Sequence, residues 1–264
     1  MRFSRKQWSI PYIIFLVGFV VLPLIVVLYY ALTDGQGTFT VENFYNFFTN
    51  TKALGTLFYS FVIALATTAG CLLIAYPTAF ILARGPWKRR NVIIVLLVMP
   101  MWINFTLRIS AMKEILSVLE GNLAMYPFFN TVLCMIYDFL PFMILPLYTT
   151  ISKLDGSLPE AAADLGASSW NVFRYVMFPL TIPAMISGVT MVFLPSMTNY
   201  VVLDMVYNST YIMGSLMGSY FNMYDWHNGS MISIILLLII FALTWLTEHF
   251  YGKQGAESRG GGIW

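Results

Sequence analysis

Between residues 152 and 179 the small, polar and aromatic side chains are spaced for docking, with no set of groups for covalent chemistry. Ser157 stands three residues before Glu160, the pattern of a capping box, and Pro159 between them is tolerated in a first helical turn. A short helix is therefore predicted to open there. Gly166 ends it, because glycine accepts the left-handed backbone of a helix C-cap. Ser168 or Ser169 caps a second short helix, in which Trp170, Phe173, Val176 and Met177 recur at three- to four-residue spacing and make an apolar face. Pro179 then opens the next long apolar run. The predicted product is two short helices at an angle. Ala161 and Ala162 are small enough for another polypeptide to approach closely, and Glu160 offers it one charge. The plainer alternative is an amphipathic surface loop.

A second group of residues suits a cation. Asp138 is the one ionisable residue predicted at mid-membrane depth, where a charge costs about 2.5–3.5 kcal/mol and must face an interior or a partner. Trp102 and Asn104 follow Pro100, and Asn199, Tyr200 and Asp204 follow Pro195. An acid with aromatic faces is what an elongated polycation requires: charge pairing at its amines, cation–π contact, and apolar walls along its methylenes. Two readings of Asp138 stand, a place on such a path or a bond to a neighbouring helix or second subunit. Trp102 likewise reads as a path wall or as an interfacial belt residue. Cys71 and Cys134 each lie in an apolar stretch and read as small buried hydrophobes, so no disulfide or metal site follows. With His227 and His249 outside the spans and no paired acids, an intramembrane enzyme has no residues to work with. The phosphate-binding pattern G-x-x-x-x-G-K-[ST] is absent, so ATP is not bound by this chain in that way.

The elements that must position these residues follow from composition. Of 264 residues, 59% are hydrophobic and 10% charged, with a mean hydropathy of +0.75. An ordinary soluble domain is about 45–50% apolar and about 25% charged. Fourteen Lys and Arg with twelve Asp and Glu cannot coat such a chain against water, which excludes a soluble enzyme, disorder and a coiled coil. A net charge of +2 gives no reason to expect nucleic acid. An all-α, polytopic membrane protein in contact with lipid is predicted. Charge-poor windows give six transmembrane helices: 7–33, 53–83, 91–107 (extendable past Arg108), 126–151, 175–203 and 226–247. Residues 205–224 are interrupted by polar groups and read as an external or re-entrant helix. The first window reads as an uncleaved helix, because its apolar run is longer than that of a signal peptide. Seven prolines (Pro23, Pro77, Pro100, Pro141, Pro146, Pro183 and Pro195) lie within or at the ends of spans, as in a moving bundle or as ordinary membrane-helix prolines. Alternate loops hold eleven Lys and Arg against three, which puts both termini and the loops 84–90 and 152–174 in the cytoplasm. Residues 1–252 form the membrane domain; 253–264 read as a disordered tail.

The spacing Glu160-Ala161-Ala162, three residues, Gly166, nine residues, Val176-Met177-Phe178-Pro179 resembles the signature of ABC-importer permeases, with Val for Ile and Phe for Leu. Over about residues 10–247, the stretches Tyr76–Phe80, Met99–Asn104 with Arg108, Leu140–Tyr148, Glu160–Ser168 and Asp225-Trp226 resemble the B-type permeases of spermidine/putrescine importers. The resemblance implies the type I ABC-importer permease fold in a cell inner membrane. It implies that Glu160, Ala161, Ala162 and Gly166 form a coupling helix seated on an ATPase dimer, which binds the ATP and Mg. It further implies a second, homologous permease and an extracytoplasmic polyamine-binding protein as partners, with no cofactor and no catalysis in this chain. Trp102, Asn104, Asp138, Asn199, Tyr200 and Asp204 are then the expected substrate path. The alternatives are an importer permease for an inorganic ion or amino-acid derivative, or a secondary transporter driven by an ion gradient. An anion would want embedded Arg or Lys, and a secondary transporter often shows internal repeats, of which none is convincing here.

Overall fold

The computed structural model describes residues 5–206 and 211–257, with side chains described for 11–206 and 211–245. Its helices in chain order are α1 (Arg5–Leu16), α2 (Leu22–Ala31), α3 (Glu42–Thr49), α4 (Thr51–Arg84), α5 (Arg90–Val98), α6 (Phe105–Glu120), α7 (Pro127–Lys153), α8 (Ser157–Asp164), α9 (Ser169–Val172), α10 (Phe178–Thr198), α11 (Tyr200–Val206), α12 (Met213–Asn222) and α13 (Trp226–Glu257). Among the described residues, an isolated bridge from Thr33 to Phe39 is the extent of β pairing.

Five helical runs are long and apolar enough to cross a hydrocarbon layer: Pro11–Ala31, Thr51–Arg84, Pro127–Lys153, Ser169–Thr198 and Trp226–Trp245. Phe19, Phe58, Leu73 and Phe241 lie exposed on them, an outer surface that suits lipid and not water. The third span, predicted at 91–107 with a bend at Pro100, is broken outright. Arg90–Trp102 and Phe105–Glu120 meet at 98°. Pro100 supplies no donor, Met99–Trp102 tighten into a 3-10 turn, Ile103 is extended, and the Asn104 side chain caps α6 by accepting the Thr106 N–H. Helix α12 has ten residues, about 15 Å of rise, too little to cross alone. Residues 207–210 of the 205–224 window lie outside the described residues. The tail expected from 253 is helical as far as Glu257, and 258–264 lie outside the described residues.

Two spans carry a π-turn, Val17–Val21 and Phe173–Met177. In each, the next N–H bonds five residues back, Leu22 to Val17 and Phe178 to Phe173, and a proline follows at once, Pro23 or Pro179. A proline ring clashes with the carbonyl four residues before it, and a widened turn relieves that clash without ending the helix. This corrects the expectation that Pro179 starts a new element. The predicted second short helix is the first part of one continuous run, Ser169–Thr198.

The chain divides into two compact units. In Met1–Phe58 with Met213–Ala242, Asn43 donates to the carbonyls of Ala31 and Thr33, and Gly229 gives the Phe221 ring room that a Cβ would take. His227 belongs here, in the first turn of α13 and not beyond the span. Its Nδ1 lies 3.0 Å from the Tyr30 carbonyl oxygen, and its ring packs edge-on to Tyr30. In Tyr59–Ile212 with Leu243–Trp264, α7 is the central helix, and α6, α10 and α11 all pack on it. Cys71 and Cys134 are fully buried, Cys134 and Met135 beside each other in the α7 core.

Candidate functional site

Helix α8 stands out by what it does not bury: none of its eight residues is buried, in a unit whose other long helices all contribute to the core. Its start differs from the expected capping box. The N-cap is Gly156, and the Ser157 N–H is taken by Asp155 Oδ1 at 3.0 Å. Asp155 reaches that donor first, and Pro159, now in the third helical position, has no N–H to offer a cap. The bonds to Ser157 hold the exposed Asp155 carboxyl below its ordinary value of 3.8. The helix ends as predicted at Gly166. Its φ is +85°, the Gly166 N–H bonds the Ala163 carbonyl at 2.9 Å, and the Ala167 N–H bonds the Ala162 carbonyl at 3.1 Å. These paired bonds are a Schellman cap, for which glycine is the least strained residue. Ser168, rather than Ser169, caps α9 through the Asn171 N–H.

Glu160, Ala161 and Gly166 are therefore exposed on one short helix and its cap, and Ala162 is half-buried. Leu165 is 90% exposed at its end. A small, rigidly capped helix with alanines and one acid at the surface has the chemistry to enter a groove on another polypeptide. It has no nucleophile–base pair, and no metal-binding cluster of His, Cys, Asp or Glu exists among the described residues.

The six candidate path residues are not gathered into one site. Asp138 is 3% exposed on α7 and faces Arg108 of α6, itself 8% exposed, with Nη2 2.5 Å from Oδ1. The contact is one of charge, without hydrogen-bond geometry at Oδ1, and Arg108 Nε and Nη1 are buried without hydrogen-bond partners among the described residues. Arg108 is thus not an outer-loop charge, and Asp138 is not a lone embedded acid. Because α6 turns back across α7 after the 98° bend, a base just past the third window comes to lie against the fourth span. The residue that sequence reading passed over is Arg108 itself. The available sign was that one acid and one base, each isolated in a charge-poor stretch, neutralise each other most cheaply together.

The other five are spread over several surfaces. Trp102 is 85% exposed and borders an apolar cavity of about 180 Å³ with Ile94, Val98 and Leu145. The Asn104 side chain is spent on capping α6. Asn199 closes α10, its N–H bonding the Pro195 carbonyl, and Tyr200 and Asp204 are exposed on α11. No hydrogen bond or ion pair among the described residues joins any two of the six.

Residues 75–254 match the family described as the binding-protein-dependent transport system inner membrane component. Among curated proteins, the chain is 34% identical over 224 residues to the spermidine/putrescine transport system permease protein PotB of Escherichia coli (strain K12), covering 76% of this chain and 79% of that one. It is 34% identical over 247 residues to the protein of the same name in Haemophilus influenzae, covering 85% and 86%. Among solved structures, a chain of a bacterial alginate ABC transporter, crystallised in complex with an alginate pentasaccharide-bound periplasmic protein, has a TM-score of 0.74 at 12% identity and 93% coverage of both chains. That likeness gives the fold.

Proposed function

Since the chain belongs to the family of binding-protein-dependent transport system inner membrane components, we propose that it is the permease subunit of an ATP-driven importer of polyamines of the spermidine/putrescine class. The single observation that carries the cargo is 34% identity to spermidine/putrescine permeases over most of both chains. The coupling role is supported by α8, which buries none of its residues and is fixed at both ends.

In this reading an ATPase dimer hydrolyses the ATP and grips α8 of this chain together with the equivalent helix of a second, homologous permease. Closure of the dimer draws the two helices together, and the proline-broken spans turn the cavity outward to receive cargo from an external binding protein. Both termini are cytoplasmic. Glu160, Ala161, Ala162 and Gly166 make the ATPase contact. Trp102, Asn104, Asn199, Tyr200 and Asp204 remain candidates for the path. Asp138 enters only if its contact with Arg108 opens, so embedded acidity no longer argues for a cation, and the cargo rests on the relatives.

The test is the reassembled complex in proteoliposomes, with labelled spermidine and putrescine. Uptake should require ATP and the binding protein, and Glu160→Lys should lose it while the chain remains inserted. Uptake driven by an ion gradient without ATP would overturn the reading. Saturable import of another solute, with no polyamine uptake, would overturn the cargo.

A further inference from the structure

Tyr76, Phe80 and Arg84 follow one another at four-residue intervals and share one face of the last turns of α4. Each reaches the segment that carries α8. Arg84 Nη2 donates to the Leu154 carbonyl at 2.8 Å, and Nη1 lies 3.9 Å from where a Cβ on Gly156 would stand. The guanidinium also bears electrostatically on Asp155, the residue that holds the first N–H of α8. Beyond α8, Phe173 meets both aromatic members of the stripe edge-on, 5.9 Å from Tyr76 and 5.8 Å from Phe80 between ring centres. The Tyr76 and Thr181 hydroxyls are 3.0 Å apart. Phe80 and Arg84 also wall a cavity of about 200 Å³ whose other sides include Pro159, Ser169 and Phe173.

Helix α8 is joined through the backbone to α7 on one side and to the Ser169–Thr198 run on the other. It has no such connection to α4. Any displacement of α8 felt by α4 must therefore pass between side chains. One residue after Tyr76, Pro77 interrupts the α4 ladder and provides a bending point at the head of the stripe.

We propose that the Tyr76–Phe80–Arg84 stripe transmits the movement of α8 to α4, with Arg84 as the positioning residue that fixes the start of α8 against it. This inference rests on the coupling role proposed above for α8. The bracing on both sides of α8, polar at Leu154 and aromatic at Phe173, makes the end of α4 and the coupling segment move as one piece.

The experiment uses the complete importer, measuring labelled spermidine taken up per ATP hydrolysed. Loss of a charge-assisted hydrogen bond in Arg84→Gln should lower uptake per ATP by about tenfold, with the ATPase still co-purifying, and Arg84→Lys should restore part of it. An unchanged ratio in Arg84→Gln overturns the proposal. A second measurement does not depend on that variant folding well. Arg84→Cys with Leu154→Cys should be as poorly coupled as Arg84→Gln, and bridging the two thiols with a short, reducible bifunctional reagent should restore uptake per ATP, because the two ends then move together again. Bridging that leaves uptake per ATP low, or that lowers it further until reductant is added, overturns the proposal. Wild-type complex that takes up no polyamine with ATP would instead overturn the functional reading, and this inference with it.

Discussion

At the scale of single residues, the Arg108–Asp138 pair separates structural from transport roles. A buried charge that loses its partner costs about 3–5 kcal/mol, whereas replacing both partners by apolar groups is often neutral. Asp138→Asn should therefore lower thermal stability by about that amount, read as the melting of detergent-solubilised protein. Arg108→Met with Asp138→Leu should recover most of it. If Asp138 only holds α6 to α7, the double variant also recovers uptake; a stable double variant without uptake would return Asp138 to the path. Asp155 gives a prediction with a definite pH sign. Its carboxyl sits below the ordinary value of 3.8 because the ionised form accepts from Ser157. The cap is fully present above 3.8 and is lost only as pH falls through the lowered folded value. A spin label at Leu165→Cys should thus show the same mobility at pH 7 and pH 5, both above that window. Mobility should rise in Asp155→Ala at either pH.

At the scale of elements, the α7–α10 crossing depends on one missing side chain. A Cβ on Gly188 would stand 2.6 Å from Met143 Sδ and 3.5 Å from the Met143 backbone. The sulfur can move, but the backbone of α7 cannot, so Gly188→Leu should cost about 1–3 kcal/mol through overpacking. A melting point equal to wild type would mean that the crossing is looser than drawn, and Met143→Ala should return part of the loss. Elements were legible in the sequence where a single residue type dictates backbone geometry. Gly166 marked the end of α8 because no other residue accepts its φ so cheaply, whereas Pro100 reads as a kink inside one span. The 98° turn was not legible, since it depends on what α6 packs against. Nor was the fusion of α9 with α10. A π-turn is made by a bond to the fifth residue back, which any side chain permits, and Pro179 alone reads as a start as well as a kink. The Arg108–Asp138 contact joins residues thirty apart in sequence through that same unforeseen turn.

At the scale of the whole molecule, the membrane class could be read from composition, because 59% apolar residues leave no other solvent than lipid. Which side faces the cytoplasm is a separate matter, argued from the charges and decided by labelling. With Arg108 withdrawn into its pair with Asp138, only Lys52 and Lys113 remain on the side opposite to eleven basic residues, so the bias grows. A residue on the α8 cap and one on the loop between α2 and α3 should then be reached by reagents from opposite sides. Leu165, 90% exposed, and Val41, 70% exposed, are the positions to use. Both native cysteines are fully buried, so an added thiol reports without background. A membrane-impermeant maleimide should label Val41→Cys once the outer face of the membrane is accessible. It should label Leu165→Cys only after the inner membrane is permeabilised, and less once the ATPase is bound. Labelling of Leu165→Cys from outside would put α8 where no ATPase can grip it, and the importer mechanism would fail at its first step.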